Sequence, residues 1–170
     1  FDAIQGISLQ EGLPFDPADV PIPNGSDLIY KDSETLVIQG DRLVGTIFRR
    51  LNTGVWDVWW RTKDGGQQVD QYDDRGFVST RTWLDANQQV IKKEWLDITG
   101  EWVLRQTDKV VIAPRVQDRF DYSEYPDVIN VSGEYLAKYL AATNENNTLI
   151  GLANSASVAI ASFIPDSVTS

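Results

Sequence analysis

Between Leu28 and Ala113 apolar and polar positions alternate in short bursts, and clusters of Gly, Asp and Asn cut the bursts apart. The clearest stretch is Asp73 to Arg105, DDRGFVSTRTWLDANQQVIKKEWLDITGEWVLR. Its runs Phe77–Leu84, Val90–Leu96 and Trp102 onward are too short and too β-branched for helices, and their period of two fits strands. Asp73-Asp74-Arg75-Gly76, Asp85-Ala86-Asn87-Gln88 and Asp97-Ile98-Thr99-Gly100 separate them. In such clusters an Asp side chain bonds its own backbone, and Gly76 and Gly100 can take the positive φ that closes the reversal. Turns recurring about every 12 residues predict an antiparallel meander.

The same reading places strands at Leu28–Tyr30, Thr35–Gln39, Arg42–Arg49, Gly54–Thr62 and Gln67–Tyr72, with turns at Asn24–Asp27, Gln39–Asp41 and Lys63–Gly66. Lys109–Ala113 completes the meander before Pro114, giving about eight strands in a large twisted sheet. Alternation puts Phe77, Ser79, Arg81 and Trp83 on one face and Val78, Thr80, Thr82 and Leu84 on the other. It likewise pairs Trp56 with Trp60 on one face of their strand and leaves Trp59 on the opposite one. Neither face is apolar throughout, so the sheet is expected to need a covering layer or a partner.

The flanks follow other rules. Pro14, Pro17, Pro21 and Pro23 make residues 1–23 an extended arm that docks on the domain, with a short strand near Ile7–Leu9. From Tyr122 to Leu140 apolar residues recur at helical spacing, with Ser132 as a candidate cap. Thr148–Ala153 then reads as a buried strand, and Ser155–Phe163 as a helix stopped by Pro165. The expected fold is mainly β: a large antiparallel β-meander with a smaller α/β C-terminal segment. Residues 1–27 are the connector arm, 28–120 the sheet domain and 121–170 the helix-strand-helix segment.

Composition narrows the function more than the fold. A chain of 170 residues can bury roughly 70% of its unfolded surface. It has no Met, Cys or His. The missing Met suggests an excised or processed piece. The missing Cys and His remove thiolate chemistry, the commonest general base and the commonest metal ligands. No metal site and no cofactor are expected. The net charge is -10, and residues 1–30 carry Asp2, Glu11, Asp16, Asp19 and Asp27 with no Lys or Arg. Such a field repels a phosphate backbone, so nucleic acid is not an expected partner. The first 15 residues show neither a basic region nor a long apolar run, so no signal peptide is expected in them, and no stretch has the ~20 apolar residues of a membrane span.

Two groups of side chains could carry chemistry. The paired carboxylates Asp73-Asp74 and Glu94 with Asp97 could flank a sugar for hydrolysis, but all lie in turns or on strand faces where solvated acids are common. The six Trp residues are the stronger candidates, because indoles stack on sugars and anchor protein interfaces. Trp56, Trp59, Trp60, Trp83 and Trp95, with Arg81, form the candidate surface for a partner or glycan. Each is also the kind of residue that fills a core. An uncovered strand edge that accepts an extended peptide is the other candidate.

The order of motifs resembles a known family. Tyr72-Asp73-Asp74-Arg75-Gly76-Phe77-Val78-Ser79, the Asp85–Gln89 hairpin and Gly100-Glu101-Trp102-Val103-Leu104-Arg105 carry the likeness, and Tyr122 and Tyr125 lead into a helix ending Tyr139-Leu140. Together they are similar to the extended β-sheet domain of the glycosyltransferase-like proteins of the bacterial accessory Sec system. The likeness covers roughly Leu28 to Ile150. It implies that the α/β segment comes from a glycosyltransferase-like (GT-B) Rossmann layer. It also implies a role beside proteins that glycosylate and export serine-rich repeat adhesins in Gram-positive bacteria. The nearest likeness is to the member thought to lack transfer activity. An active O-linked N-acetylglucosamine transferase sharing the sheet, or a carbohydrate-binding module built on surface Trp residues, stays open as an alternative. The family's catalytic acids lie in a half that this sequence does not show, so none is carried over. The implied partners are the adhesin, other accessory secretion subunits and an N-acetylglucosamine-containing glycan. The implied location is the cytoplasm, with peripheral contact at the inner face of the membrane. Trp83-Leu84 stands where the family usually has tyrosines.

Overall fold

The computed structural model describes residues 16–50, 54–73 and 75–142. The expected strands at Ile7–Leu9 and Thr148–Ala153, the helix at Ser155–Phe163 and the turn residue Asp74 lie outside them. The chain divides into two compact units, one ending at Val103 and the other beginning at Leu104.

The first unit is an antiparallel sheet whose strands pair in chain order: β1 (Ser26–Tyr30), β2 (Glu34–Gln39), β3 (Arg42–Arg50), β4 (Gly54–Arg61), β5 (Gln67–Tyr72), β6 (Val78–Leu84) and β7 (Val90–Leu96). Local turn chemistry sets this order. In three of the connections an Asp carboxylate accepts the backbone N–H two residues on: Asp73 from Arg75 at 2.9 Å, Asp85 from Asn87 at 2.8 Å and Asp97 from Thr99 at 2.8 Å. The same Asp donates its own N–H to the carbonyl four residues on, at 2.9 Å in all three. The Thr62–Gly66 turn closes the same way at 3.1 Å. The left-handed position of each turn falls on Gly65, Gly76, Gln88 and Gly100.

One face of this sheet holds the core. Val37, Ile47, Val55, Val58 and Tyr72 pack together with Val20, which follows a single 3-10 turn at Pro17–Asp19. Ile22, Leu28, Val44, Trp60 and Val78 pack around them. The arm therefore reaches the sheet through Val20 and Ile22.

Val78 corrects the expectation from strict alternation, which set it on the face away from Ser79 and Arg81. The register shifts between Gln71 and Tyr72, so that Val78 pairs with Tyr72 and joins its core. A second shift between Phe48 and Arg49 brings both Val55 and Val58 into the core although they are three residues apart. Trp56 therefore falls in a bulge and is out of phase with Trp60, against the simple two-residue period.

The second unit contains β8 from Leu104 (the strand runs Trp102–Gln106), β9 (Val110–Ile112), a 3-10 turn at Pro114–Arg119, β10 (Glu124–Tyr125) and the helix α1 (Val128–Ala142). Among the described residues nine strands lie between Ser26 and Ile112, one for each stretch named from the sequence. Two further expectations are corrected here. Tyr122 and Tyr125 do not belong to the helix; Glu124 and Tyr125 pair with Val111 and Val110 in a short bridge. Ser132 is inside α1 and does not cap it. Asp127 does, accepting the Asn130 N–H at 2.9 Å. Bonding to the Asn130 N–H, seconded by its side chain, holds the Asp127 carboxyl below the usual range. In this unit Leu104, Val110, Ile112, Val116, Phe120, Tyr125 and Val131 are buried.

Candidate functional site

Cross-strand register assembles what the sequence kept apart. Val58, Asp70, Arg81 and Glu94 stand opposite one another on β4, β5, β6 and β7, and the neighbouring row is Trp60, Gln68, Trp83 and Lys92. Directly opposed residues share a face, so an apolar face on β2 to β4 becomes a charged and aromatic one on β5 to β7.

Asp70 is the hub. Only 6% of the residue is exposed, and its two oxygens accept from three side chains. Arg81 Nε lies 2.6 Å from Oδ1 and Nη2 lies 3.3 Å from Oδ2. Trp60 Nε1 donates to Oδ2 at 3.3 Å, and Gln68 Nε2 to Oδ1 at 3.1 Å. Burial works against the Arg81 charge, but bonding and attraction to Asp70, with Glu94 adding to them, raise its pKa. Glu94, also 6% exposed, has Lys92 Nζ at 3.5 Å. Tyr72 ends the β5 row, and burial, reinforced by the Asp70 charge and opposed by Arg81, pushes its hydroxyl up to about 12.

This network ties β4, β5 and β6 together through side-chain bonds on one face. Asp70 accepts from three side chains, and each buried acid faces a cation, Arg81 beside Asp70 and Lys92 beside Glu94. Among the described residues no group of three His, Cys, Asp or Glu side chains could hold a metal ion.

The Trp candidates have distinct fates. Trp60 is tied to Asp70 and packs closely against Gly45, where a Cβ would stand 2.6 Å from Trp60 Cε3. Trp83 carries Lys92 Nζ over its ring at 3.3 Å from the centroid. Trp95 is buried, 6% exposed, with Lys93 Nζ 5.1 Å from its ring centre. Trp59, on the opposite face, meets Phe48 edge to face at 5.8 Å, and its buried Nε1 has no hydrogen-bond partner among the described residues. Trp56 is half-buried in the bulge. The structure joins Trp60, Trp83 and Arg81 in one network and sets Trp59 and Trp95 apart from it.

The turn motif is self-contained. Arg75 grips Asp73 through Nε at 2.5 Å and Nη2 at 2.8 Å, and its guanidinium sits 5.3 Å from the Phe77 ring centre. The hydrogen bond from the Arg75 side chain holds the Asp73 carboxyl below the usual range. Gly76 and Gly100 supply φ of 86° and 83°. These residues build the turns.

Asp70, Glu94 and Lys92 were missed as a group by sequence reasoning. One signal was available: an acid in mid-strand, at the parity of a core-facing tyrosine, implies a buried cation on a neighbouring strand. In the second unit, Tyr125 donates to Glu134 at 2.5 Å, and Lys138 bridges Glu134 at 3.0 Å and Asp121 at 2.6 Å. Burial, with the Glu134 hydrogen bond behind it, raises the Tyr125 pKa. This cluster pins β10 to α1.

Among the β1 neighbours, β2 alone is described, so one edge of the first unit's sheet has no described partner strand. Ile29 and Tyr30 on that strand are 49% and 55% exposed. The N–H of Lys31 donates to the Glu34 carbonyl at 2.9 Å. Hydrogen-bonded and non-bonded pairs alternate in an antiparallel ladder, so the backbone groups of Leu28 and Tyr30 point away from β2.

Comparison with known proteins puts these features in a family. The family described as accessory Sec system protein, accessory secretory protein 1, matches residues 1–167. Its Staphylococcus aureus (strain NCTC 8325 / PS 47) member is 22% identical over 146 residues, 83% of this chain and 28% of the relative. The Streptococcus gordonii member is 24% identical over 157 residues, 87% of this chain and 29% of the relative. The chain thus spans less than a third of the length of either. Among solved structures, the Glycosylation Associate Protein (Gap123) complex from Streptococcus agalactiae shares the fold at a TM-score of 0.75 and 22% identity, covering 86% of this chain and 30% of that one. Accessory secretory protein 1, 2 and 3 of Streptococcus pneumoniae matches at 0.74 and 21%, covering 83% and 29%. The GtfA/B complex bound to UDP and GlcNAc matches at 0.63 and 14%, covering 81% and 31%. The mainly β, antiparallel sheet is thus shared with a glycosyltransferase-like fold.

Proposed function

The chain belongs to the family of accessory Sec system protein, accessory secretory protein 1, and from that premise we propose that it is the non-catalytic protein-interaction sheet of an accessory secretion component. It binds a serine-rich repeat adhesin, a sister accessory secretion subunit, or both, on the cytoplasmic side of the export route. Residues 28–120 form the interaction sheet, residues 1–27 its connector and residues 121–170 the passage to an α/β layer.

The observation that carries this reading is the β1 edge, whose Leu28 and Tyr30 backbone groups point outward beside exposed Ile29 and Tyr30. Such an edge accepts an extended segment through main-chain hydrogen bonds. The solved complexes with this fold are assemblies of several accessory proteins by their own descriptions, which supports pairing with a subunit. A sugar reader needs an open ring face, and Lys92 lies over one face of Trp83. That weighs against the carbohydrate-module alternative.

Tyr30→Pro tests it by deleting an outward N–H while leaving the β1–β2 ladder intact. The full-length protein carrying this change should bind purified sister subunits, or a bare serine-rich repeat polypeptide, at least about tenfold more weakly in calorimetry. Tyr30→Ala, which keeps the N–H, should stay within a factor of about three. Equal binding by the Pro variant to every one of these partners would refute edge docking, and a response only to free N-acetylglucosamine oligosaccharide would favour the carbohydrate module.

A further inference from the structure

The β1 edge carries a sequence property that specifies what fits it. Its outward ladder is centred on Ile29. Leu28 and Tyr30 point their backbone groups away from β2, while the Ser26 N–H, of the same parity, is taken by the Pro23 carbonyl at 3.1 Å. An incoming antiparallel strand exchanges hydrogen bonds with Leu28 and Tyr30 and sets its middle residue against Ile29. Cross-strand neighbours then fix its side chains: a base against Asp27, apolar residues against Leu28, Ile29 and Tyr30, and an acid against Lys31. Read in its own direction, such a strand runs acid, apolar, apolar, apolar, base. Asp27-Leu28-Ile29-Tyr30-Lys31 is itself that sequence.

We infer that the β1 edge docks a second copy of this chain, strand against strand, about a two-fold axis at Ile29. The inference rests on the reading of β1 as a docking edge and adds which partner fits it. Leu28 pairs with the second copy's Tyr30 and Tyr30 with its Leu28, while Asp27 meets its Lys31 at each end. A two-fold contact of this kind needs only one surface, used twice. Ile29 meets the second copy's Ile29 at a non-hydrogen-bonded position, where side chains approach most closely. Leu36 stands beside Ile29 on β2, so the pair prolongs an apolar row from one sheet into the next. The side chains are available: Asp27, Ile29, Tyr30 and Lys31 are all exposed. Lys31 holds Glu34 at 3.0 Å in an exposed pair, and its ammonium has further donors to give. With five residues a side the interface is small, and a dissociation constant of about 10–100 µM is expected. A sister subunit that binds the same edge more tightly displaces the second copy.

Sedimentation velocity of the full-length protein, from about 1 to 300 µM, tests the pairing and should show a reversible monomer–dimer equilibrium. Tyr30→Pro, which removes an outward N–H, should abolish it. Asp27→Lys and Lys31→Asp each set like charges against one another at both ends, and each should weaken the dimer by at least about tenfold. Mixing these two variants should restore a heterodimer, and the double variant Asp27→Lys with Lys31→Asp should recover the homodimer. Only the antiparallel register centred on Ile29 gives both rescues. A dimer that survives Tyr30→Pro, ignores the charge changes or is not rescued by mixing would overturn the assignment. A monomer at every concentration would overturn it too; if Tyr30→Pro then still weakens sister-subunit binding, the edge reading stands without the second copy. Circular dichroism checks that these exposed substitutions leave the fold intact.

Discussion

Replacing Asp70 by Asn keeps its size and removes its charge, and so isolates what the central carboxylate does. In the native chain Asp70 accepts from Arg81 at 2.6 and 3.3 Å, from Trp60 at 3.3 Å and from Gln68 at 3.1 Å. An amide can offer one oxygen to these donors, and its own N–H groups face others. Removing one partner of a fully buried ion pair costs about 3–5 kcal/mol. The Arg81 side chain is 31% exposed, so water partly solvates the stranded cation, and Glu94 remains beside it. A loss of about 2–3 kcal/mol is therefore expected, mostly the penalty of leaving Arg81 and Trp60 poorly matched. For a domain of this size each kcal/mol lowers the Tm by about 2–4 °C, giving a drop of about 4–12 °C. Urea denaturation followed by Trp fluorescence and circular dichroism reads the loss directly. The double variant Asp70→Leu with Arg81→Leu buries no unpaired charge and should cost less than the sum of the single changes, by at least about 1 kcal/mol. A cost below about 0.5 kcal/mol for Asp70→Asn, or strict additivity in the double variant, would show that the network is a solvated surface pair of the ordinary kind.

Two further outcomes follow from the turns and from Tyr72. Gly100→Ala meets open space, so its cost is that of a side chain at φ 83° alone, about 1 kcal/mol, while Gln88→Gly at φ 63° should stabilise by up to about 1 kcal/mol; equal and opposite shifts in the urea midpoint check the pair, and a destabilising Gln88→Gly would contradict it. Tyr72 titrates at about 12 in the folded chain against about 10 when unfolded. The raised value means that its contribution is fully present below about pH 10 and is lost as pH rises towards about 12, by about 2–3 kcal/mol. Alkaline unfolding should show this loss, Tyr72→Phe should flatten it, and an unchanged profile in the variant would assign the loss to other groups.

Legibility from sequence followed the range of the interaction. The Asp-led turns at Asp73, Asp85 and Asp97 were readable because a carboxylate bonding the backbone two residues on, with a left-handed residue after it, is decided within five positions. The helix was legible as a period but not at its start, since the capping role of Asp127, rather than Ser132, is set only once the chain before it is fixed in β10. The Trp set was legible as important and illegible in role. Whether an indole packs against a glycine, as Trp60 does at Gly45, or lies beneath Lys92 depends on which residue stands opposite it.

The sequence by itself determined the antiparallel meander, its chain-order connectivity and the absence of histidine and thiol chemistry, because these rest on local turns, on a period of two and on composition. Only the tertiary structure decided the register. A shift of one residue reverses every side chain beyond it, and the bulges between Gln71 and Tyr72 and between Phe48 and Arg49 do this to Val78 and Trp56. It also decided that Asp70, Arg81 and Glu94, drawn from three strands, form one row. Bulges form where they let Tyr72, Val55 and Val58 share a core, and that balance is struck across strands, beyond the reach of any local pattern.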